Sequence, residues 1–495
     1  MNDEALQPAG SRPLATTPGI RFTLTAPWGP GRGPHPGARP VVRKGDRVAA
    51  GQLLLEPDAP DDGPPEPEEG AQAARAGVPV HSPVSGKVVD VGPLCTPAGV
   101  LHAVTVESDG LDEWAAPLER PWDCAHPESW PRQELARYLL QAGLTGRLTA
   151  ARPGDGSLQL AASLPALLRR GAGGATLVIN AVGPEPAIPS EELEAAAEPD
   201  ALVLGTRALV RALGAARAVV AVLSSSPARP AVEEALRRQA SARGAGDTAR
   251  PAAIRLVTLR ELDWREVPVL LAARAMQLSG LGAAPFVVES AGTAVAAGHA
   301  LQDGFPVTHR LLAVATGPRG PVRAFHVPIG LALEVVAAWA MAPKPDTRTP
   351  AAPGADGQVP PAPAVAMALA GGPLRGEAIP DLSLPVTASL PALALLQERH
   401  LERLHPEAAC IRCGRCVEVC PVGLLPLYIA RAAGAGQMAE ARDLGALACV
   451  ECAACAAVCP SRRPLLQWIT LAKGRPSAPR RRPAERAAEK VATRS

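Results

Sequence analysis

Between Val41 and Glu56 the chain reads VVRKGDRVAAGQLLLE, with apolar residues alternating about a Gly45-Asp46 turn and stopping at a second glycine turn, Gly51. Period-two alternation around such turns predicts two short strands. The stretch VPVHSPVSGKVVDVG, residues 78–92, repeats the pattern about Ser85-Gly86. From residue 133 the period changes: RQELARYLLQAG spaces Leu135, Tyr138, Leu139 and Leu140 as a helix does, and ATLVIN at 175–180 is a continuous apolar run suited to a buried parallel strand. VLGTRALVRALGA then reads as a helix, RAVVAVL as a strand, PAVEEALRRQA as a helix and AIRLVTL as a strand. That alternation predicts a doubly wound, Rossmann-like α/β domain over 130–285, a fold whose strand ends are a natural place for a flavin or nicotinamide.

The expected fold class is therefore multidomain α/β. Residues 1–125 resemble the small sandwiched barrel of biotinyl and lipoyl domains in permuted order, on the turns GDRVAAGQLL and SPVSGKV and with a proline-rich insertion between them. No Met-Lys or Asp-Lys tip lies between the halves, so Lys44 and Lys87 read as surface lysines. After Pro285, a strand (FVVES), an Ala- and Gly-rich helix, a further strand and the segment GPVRAFHVPIGLALEVVAAW suggest a β-grasp, SLBB-like module over 286–342. A proline-rich linker at 343–363 follows, then a return segment, 364–400, with a turn at Gly371-Gly372-Pro373. Residues 401–472 hold most of the cysteines, and a basic tail, 473–495, reads as solvated chain.

Composition narrows the function classes. The 50 basic and 48 acidic residues leave a net charge of +2, which argues against a nucleic-acid binder. The most apolar windows are broken by Arg207, Arg211 and Arg217 or by Pro328 and Glu334, so no membrane-spanning helix is expected. No secretory signal is visible at the start, and clustered cysteines in a reducing compartment point to metal or redox chemistry.

Eight of the 10 cysteines fall into two runs of identical spacing, CIRCGRCVEVCP at 410–421 and CVECAACAAVCP at 449–460. Three thiolates from a C-x2-C-x2-C loop can wrap one face of a [4Fe-4S] cube, and in the two-cluster bacterial ferredoxin pattern the fourth Cys, followed by Pro, ligates the other cluster. This reading gives Cys410, Cys413, Cys416 and Cys459 to one cluster and Cys449, Cys452, Cys455 and Cys420 to a second. Two structural zinc ions are the bland alternative, although eight sulfurs are too many for a single ion. Apolar Ile411, Val417, Val450 and Val458 would lower the local dielectric, and small Gly414, Ala453 and Ala454 would let backbone N–H groups approach sulfur. Cys95 and Cys124 stand alone, and His81, His299, His309 and His326 lack metal-like pairing.

The order of these parts resembles the C-subunit family of the Rnf (Rsx) electron transport complex, on VRKGDRVAAGQLL, VPVHSPVSGKV, LVINAVGPEP, GTAVAAGHALQDGFPVTHR, AGGPLRG and the paired cysteine runs followed by PSRRPLLQW. The resemblance implies an electron-transfer subunit of an ion-translocating oxidoreductase, peripheral on the cytoplasmic side of the bacterial inner membrane. It also implies other Rnf subunits and ferredoxin as partners, together with FMN and NADH sites. The matching flavin positions are Gly143 and Gly146 in GLTGRLTAARPGDGS and Asn180 and Glu185 in NAVGPEP. Arg147, Gly183, Pro184 and the stretch LRELDWRE depart from the family pattern and weigh against FMN and against NADH dehydrogenase activity of this chain. A catalytically degenerate scaffold that keeps only the iron–sulfur wire, and a soluble FMN-dependent NADH dehydrogenase, are the rival readings.

Overall fold

Between residues 21 and 108 the period-two pattern becomes strands because alternate side chains turn to one face, where apolar ones can be buried together. A computed structural model describes residues 18–27, 38–58, 77–97, 99–120, 122–146, 150–152, 164–183, 185, 187–241, 253–260, 268–282, 284–318, 320–342, 365–401 and 406–474. The proline-rich insertion, the linker at 343–363, Arg147 and the tail beyond 474 lie outside the described residues. The chain divides into two compact units, Met1–Leu404 and His405–Ser495.

The first unit begins with seven strands: β1 (Arg21–Thr25), β2 (Ala38–Pro40), β3 (Arg47–Val48), β4 (Leu53–Pro57), β5 (Val80–His81), β6 (Gly86–Thr96) and β7 (Gly99–Ser108). They form two antiparallel sheets, ordered β1-β7-β6-β3 and β2-β4-β5. Phe22, Leu24, Leu54, Leu55, Val88 and Val104 are fully buried within this region.

The α/β part follows, with α1 (Arg132–Gln141), β8 (Ala150–Arg152), α2 (Leu164–Arg170), β9 (Thr176–Asn180), α3 (Ser190–Ala197) and α4 (Pro199–Leu213). It continues through β10 (Arg217–Leu223), α5 (Ala228–Ser241), β11 (Ile254–Leu259), α6 (Pro268–Leu278), β12 (Phe286–Ser290) and α7 (Ala291–Asp303). The sheet order is β11-β10-β9-β12-β8, with β9 to β12 parallel and β8 antiparallel at one edge. The alternation of apolar strands and helices seen in the sequence is thus a doubly wound sheet. One expectation is corrected: FVVES, placed at the start of a module at 286–342, is β12, which pairs with β9 from Phe286↔Thr176 to Ser290↔Asn180. A short buried strand carries no mark of which sheet it joins, and all five residues of β12 are buried.

The remaining strands are β13 (His309–Ala315), β14 (Val322–Pro328), β15 (Met367–Ala370), β16 (Glu377–Ile379) and β17 (Ala392–Leu396), with α8 (Leu333–Met341) between β14 and β15 and α9 (Glu398–Leu401) after β17. Their order is β14-β13-β17-β15-β16, and β17 lies parallel to β13 in the middle. Residues 364–400, expected as a return segment, therefore supply three of this sheet's five strands. Pairing across the linker is non-local and left no trace in either segment alone. Leu312, Val314, Phe325 and Val336 share one core with Phe22 and Leu24 of the barrel-like sheets.

The second unit is helical: α10 (Arg415–Glu418), α11 (Pro426–Gly434), α12 (Met438–Asp443), α13 (Ala454–Ala457) and α14 (Leu465–Gly474). Ile429, Ala433, Leu465 and Ile469 form its core with Cys455. Lys473, assigned by sequence to the tail, lies in the last turn of α14.

In the first unit, α4 and α7 cross at two glycines. A Cβ on Gly205 would fall 1.7 Å from the Ala294 carbonyl oxygen, and one on Gly298 would fall 2.1 Å from that of Ala201. Alanine is the better helix former by about 1 kcal/mol, so Gly205→Ala would stabilise an ordinary helix. Here overpacking should win, with Gly205→Ala or Gly298→Ala lowering stability by about 1–3 kcal/mol in denaturant unfolding.

Candidate metal centre

The two cysteine runs fold alike. Arg412, Gly414 and Gly423 have φ of 55°, 80° and 71°, and the residues at the same places in the second run, Glu451, Ala453 and Arg462, have 56°, 61° and 50°. Left-handed residues between cysteines turn the chain back on itself, so successive thiols stay on one side. In a side-chain-bearing residue this conformation costs about 1–2 kcal/mol, and such strain concentrates at functional sites. Each loop then enters a short helix, α10 or α13, carrying its third cysteine. The Arg412 N–H donates to Cys410 Sγ and the Glu451 N–H to Cys449 Sγ, both at 3.4 Å, and the Leu424 N–H donates to Cys420 Sγ at 3.3 Å. Backbone N–H groups aimed at sulfur are what a thiolate cluster requires.

Cys420 from the first run meets Cys449, Cys452 and Cys455 from the second around one cavity, walled by apolar groups such as Val450 and Ile469. Burial pushes the Cys455 thiol up to about 12, with Cys449 and Cys452 raising it further, the Ala456 N–H lowering it and Cys420 adding a smaller rise. The Cys449 thiol is pushed up to about 11, again by burial first. Burial also raises Cys416, which feels Cys459 and Cys413 as neighbours. Cys459 of the second run thus lies near Cys416 of the first.

The two halves differ in exposure: Cys410 and Cys413 face solvent, whereas Cys452 and Cys455 are each 7% exposed. Sequence reasoning also missed Lys473, whose Nζ donates to the Cys449 carbonyl at 2.8 Å and pairs with Glu451. Its place on the amphipathic helix after PLLQW was the available signal.

The residues matched to a flavin site have local partners. Gly143 (φ 77°) ends α1, with its N–H on the Leu140 carbonyl and the Leu144 N–H on that of Leu139, and a Cβ there would lie 2.9 Å from the Pro79 carbonyl oxygen. Gly146 is buried where the described stretch ends. Asn180 Oδ1 accepts from the Val182 N–H at 2.9 Å, closing a turn, while its Nδ2 is buried with no hydrogen-bond partner among the described residues. Glu185, 3% exposed, accepts from the backbone N–H groups of Arg375 (2.6 Å) and Leu374 (3.3 Å) in the AGGPLRG turn. Burial raises its carboxyl pKa against the lowering pull of Arg375. Of the histidines, His309 and His326 stack with ring centroids 5.6 Å apart, and His299 lies 3.5 Å from Asp303 and 3.7 Å from Glu198.

Comparison with known proteins finds likeness in both the cysteine region and the longer chain. The family described as "4Fe-4S dicluster domain" matches residues 409–462. The C-subunit of the ion-translocating oxidoreductase complex of Rhodobacter capsulatus is 29% identical over 453 residues, which cover 88% of this chain and 75% of that protein. The chain is similar to such subunits over most of its length. The C-subunit of the proton-translocating ferredoxin:NAD(+) oxidoreductase complex of Clostridium ljungdahlii is 25% identical over 400 residues, covering 78% of this chain and 74% of that one. Among solved structures, an NAD+-reducing [NiFe]-hydrogenase in the H2-reduced state aligns with a TM-score of 0.44 and 18% identity, covering 76% of this chain and 69% of that one.

Two outcomes follow from these contacts. In metal-free protein, Cys455 and Cys449 stay protonated at pH 8, so iodoacetamide should label them slowly, with rates climbing as pH approaches 11, while exposed Cys410 and Cys413 label first; peptide mass mapping reads the order. Glu185→Ala leaves two turn N–H groups without their acceptor and should cost about 2–4 kcal/mol in unfolding free energy.

Proposed function

We propose that this chain is the electron-transfer subunit of a membrane-associated ion-translocating oxidoreductase complex, relaying electrons through two [4Fe-4S] clusters. The observation that carries the reading is the cavity lined by Cys420, Cys449, Cys452 and Cys455, in which a cysteine of one run completes the set of the other. Cys410, Cys413, Cys416 and Cys459 hold one cluster, and Cys449, Cys452, Cys455 and Cys420 hold the second. Bound clusters supply one-electron redox chemistry. The protein's part is to fix the thiolates, point N–H groups at them and keep the second site dry. Lys473 places an ammonium beside the second loop, where positive charge offsets the negative charge gathered by four thiolates.

The relatives' names supply the setting, a complex with further subunits and, in the Clostridium case, ferredoxin as a reactant. Among the described residues no helix is long and apolar enough to cross a membrane, and attachment at the cytoplasmic face through partner subunits of an Rnf-type complex fits that. In the first unit we assign the two antiparallel sheets to a permuted barrel-sandwich domain, the parallel sheet to a Rossmann-like domain and the β13–β17 sheet to a β-grasp module.

The braid is tested by single substitutions in the full chain. Anaerobically purified protein should carry about eight iron atoms, and Cys420→Ser and Cys459→Ser should each lower this to about four, leaving different EPR signals after dithionite reduction. Zinc in place of iron, with a silent EPR spectrum, overturns the reading.

A further inference from the structure

The two cysteine runs share a fold and differ in what surrounds it. Aligned by their cysteines, Arg412 stands where the second run has Glu451, Arg415 where it has Ala454, and Glu418 where it has Ala457. Water reaches the first loop, in which Cys410, Arg412, Cys413 and Arg415 are all exposed. The second loop is dry. Cys452 and Cys455 are each 7% exposed, and Ala453 and Ala454 are buried beside them.

A thiolate-held cluster becomes more negative when it takes an electron, and water stabilises that added charge better than apolar side chains do. Exposure therefore raises the potential at Cys410, Cys413, Cys416 and Cys459, and burial lowers it at Cys449, Cys452, Cys455 and Cys420. Backbone donors do not separate the two sets: Arg412 and Leu427 donate to Cys410 and Cys416, and Glu451 and Leu424 donate to Cys449 and Cys420. Charge is the remaining lever. Arg412 and Arg415 favour reduction at the first loop, with solvent screening their effect. At the second, Lys473 Nζ lies 2.8 Å from the Cys449 carbonyl oxygen and is paired with Glu451, the two side chains being 17% and 19% exposed. Ammonium and carboxylate act in opposite directions there, so the intact pair offsets little of the burial. Removing either partner leaves the other's charge uncompensated where water screens little.

We propose that the two clusters have unequal potentials, the solvent-facing first one higher and the buried second one lower, and that the Lys473–Glu451 pair sets the size of the gap. This rests on the two-cluster reading above. The first electron to enter the chain comes to rest on the first cluster, and an electron placed on the second passes to the first downhill. The step balances as written, since one cluster loses an electron, the other gains it, and no bond or proton moves. Lys473 acts through its charge, as a positioning residue and not a ligand.

The test is a dithionite titration of the full chain, purified anaerobically and followed by EPR, with each signal assigned by its loss in Cys459→Ser or Cys420→Ser. At one electron per chain the signal of the first cluster should predominate. Lys473→Met should push the ratio about tenfold further toward the first cluster, a change of about 59 mV for one electron. Lys473→Arg should leave the ratio near that of the unaltered chain, and Glu451→Gln should move it toward the second cluster. Opposite shifts from the two partners are the mark of charge, because a loosened loop would move both variants the same way. Equal filling of the two signals, a first electron on the second cluster, or shifts of one sign in Lys473→Met and Glu451→Gln overturn the proposal. Failure of the two-cluster reading appears separately, as iron well short of about eight atoms per chain.

Discussion

Two loops that must each turn three thiols to the same side set the terms for the second unit. A regular helix or strand cannot do it, because their periods send residues three apart to changing or opposite faces. The chain meets the demand with left-handed residues at matched places in both runs, and four of them, Arg412, Glu451, Ala453 and Arg462, carry side chains that disfavour that conformation. Strain repeated at equivalent positions is a property of the task the loops share. The short helices and the Ile429–Ile469 core then hold the loops against each other, so that Cys420 can reach the second set.

The first unit solves a different problem, the burial of acid. Glu185, Glu191, Glu192, Glu194 and Glu289 are all buried. Backbone N–H groups, the Ser226 hydroxyl and Arg375 are among their partners, which is how a carboxylate survives away from water. Burial raises the pKa of Glu185 and Glu192 even so. These acids join α3 to α7 and the β9 end to the AGGPLRG turn.

How much was legible follows from how local each signal is. The cysteine spacing is complete within twelve residues per run and needs no tertiary information, and four of the eight thiols, Cys420, Cys449, Cys452 and Cys455, line one cavity. The alternation of RAVVAVL, PAVEEALRRQA and AIRLVTL was readable for the same reason. The membership of FVVES in the parallel sheet was not, because a buried strand looks alike in any sheet. Nor was the placing of β17 between β13 and β15, which depends on contacts across the linker. Asn180 and Glu185 show the harder case: the residues match, but what each binds is decided by Val182 and by a turn 190 positions away.

The crossing of α4 and α7 bears on how this domain can change over time. Each glycine's absent methyl is occupied by a carbonyl of the other helix, and that backbone atom, unlike a side chain, cannot adopt another rotamer. The separation of the two helices is thereby set by main chain alone. Because α7 begins where β12 ends, a side chain at either glycine would disturb the end of the parallel sheet as well as the helix pair, so the two helices can change only in concert.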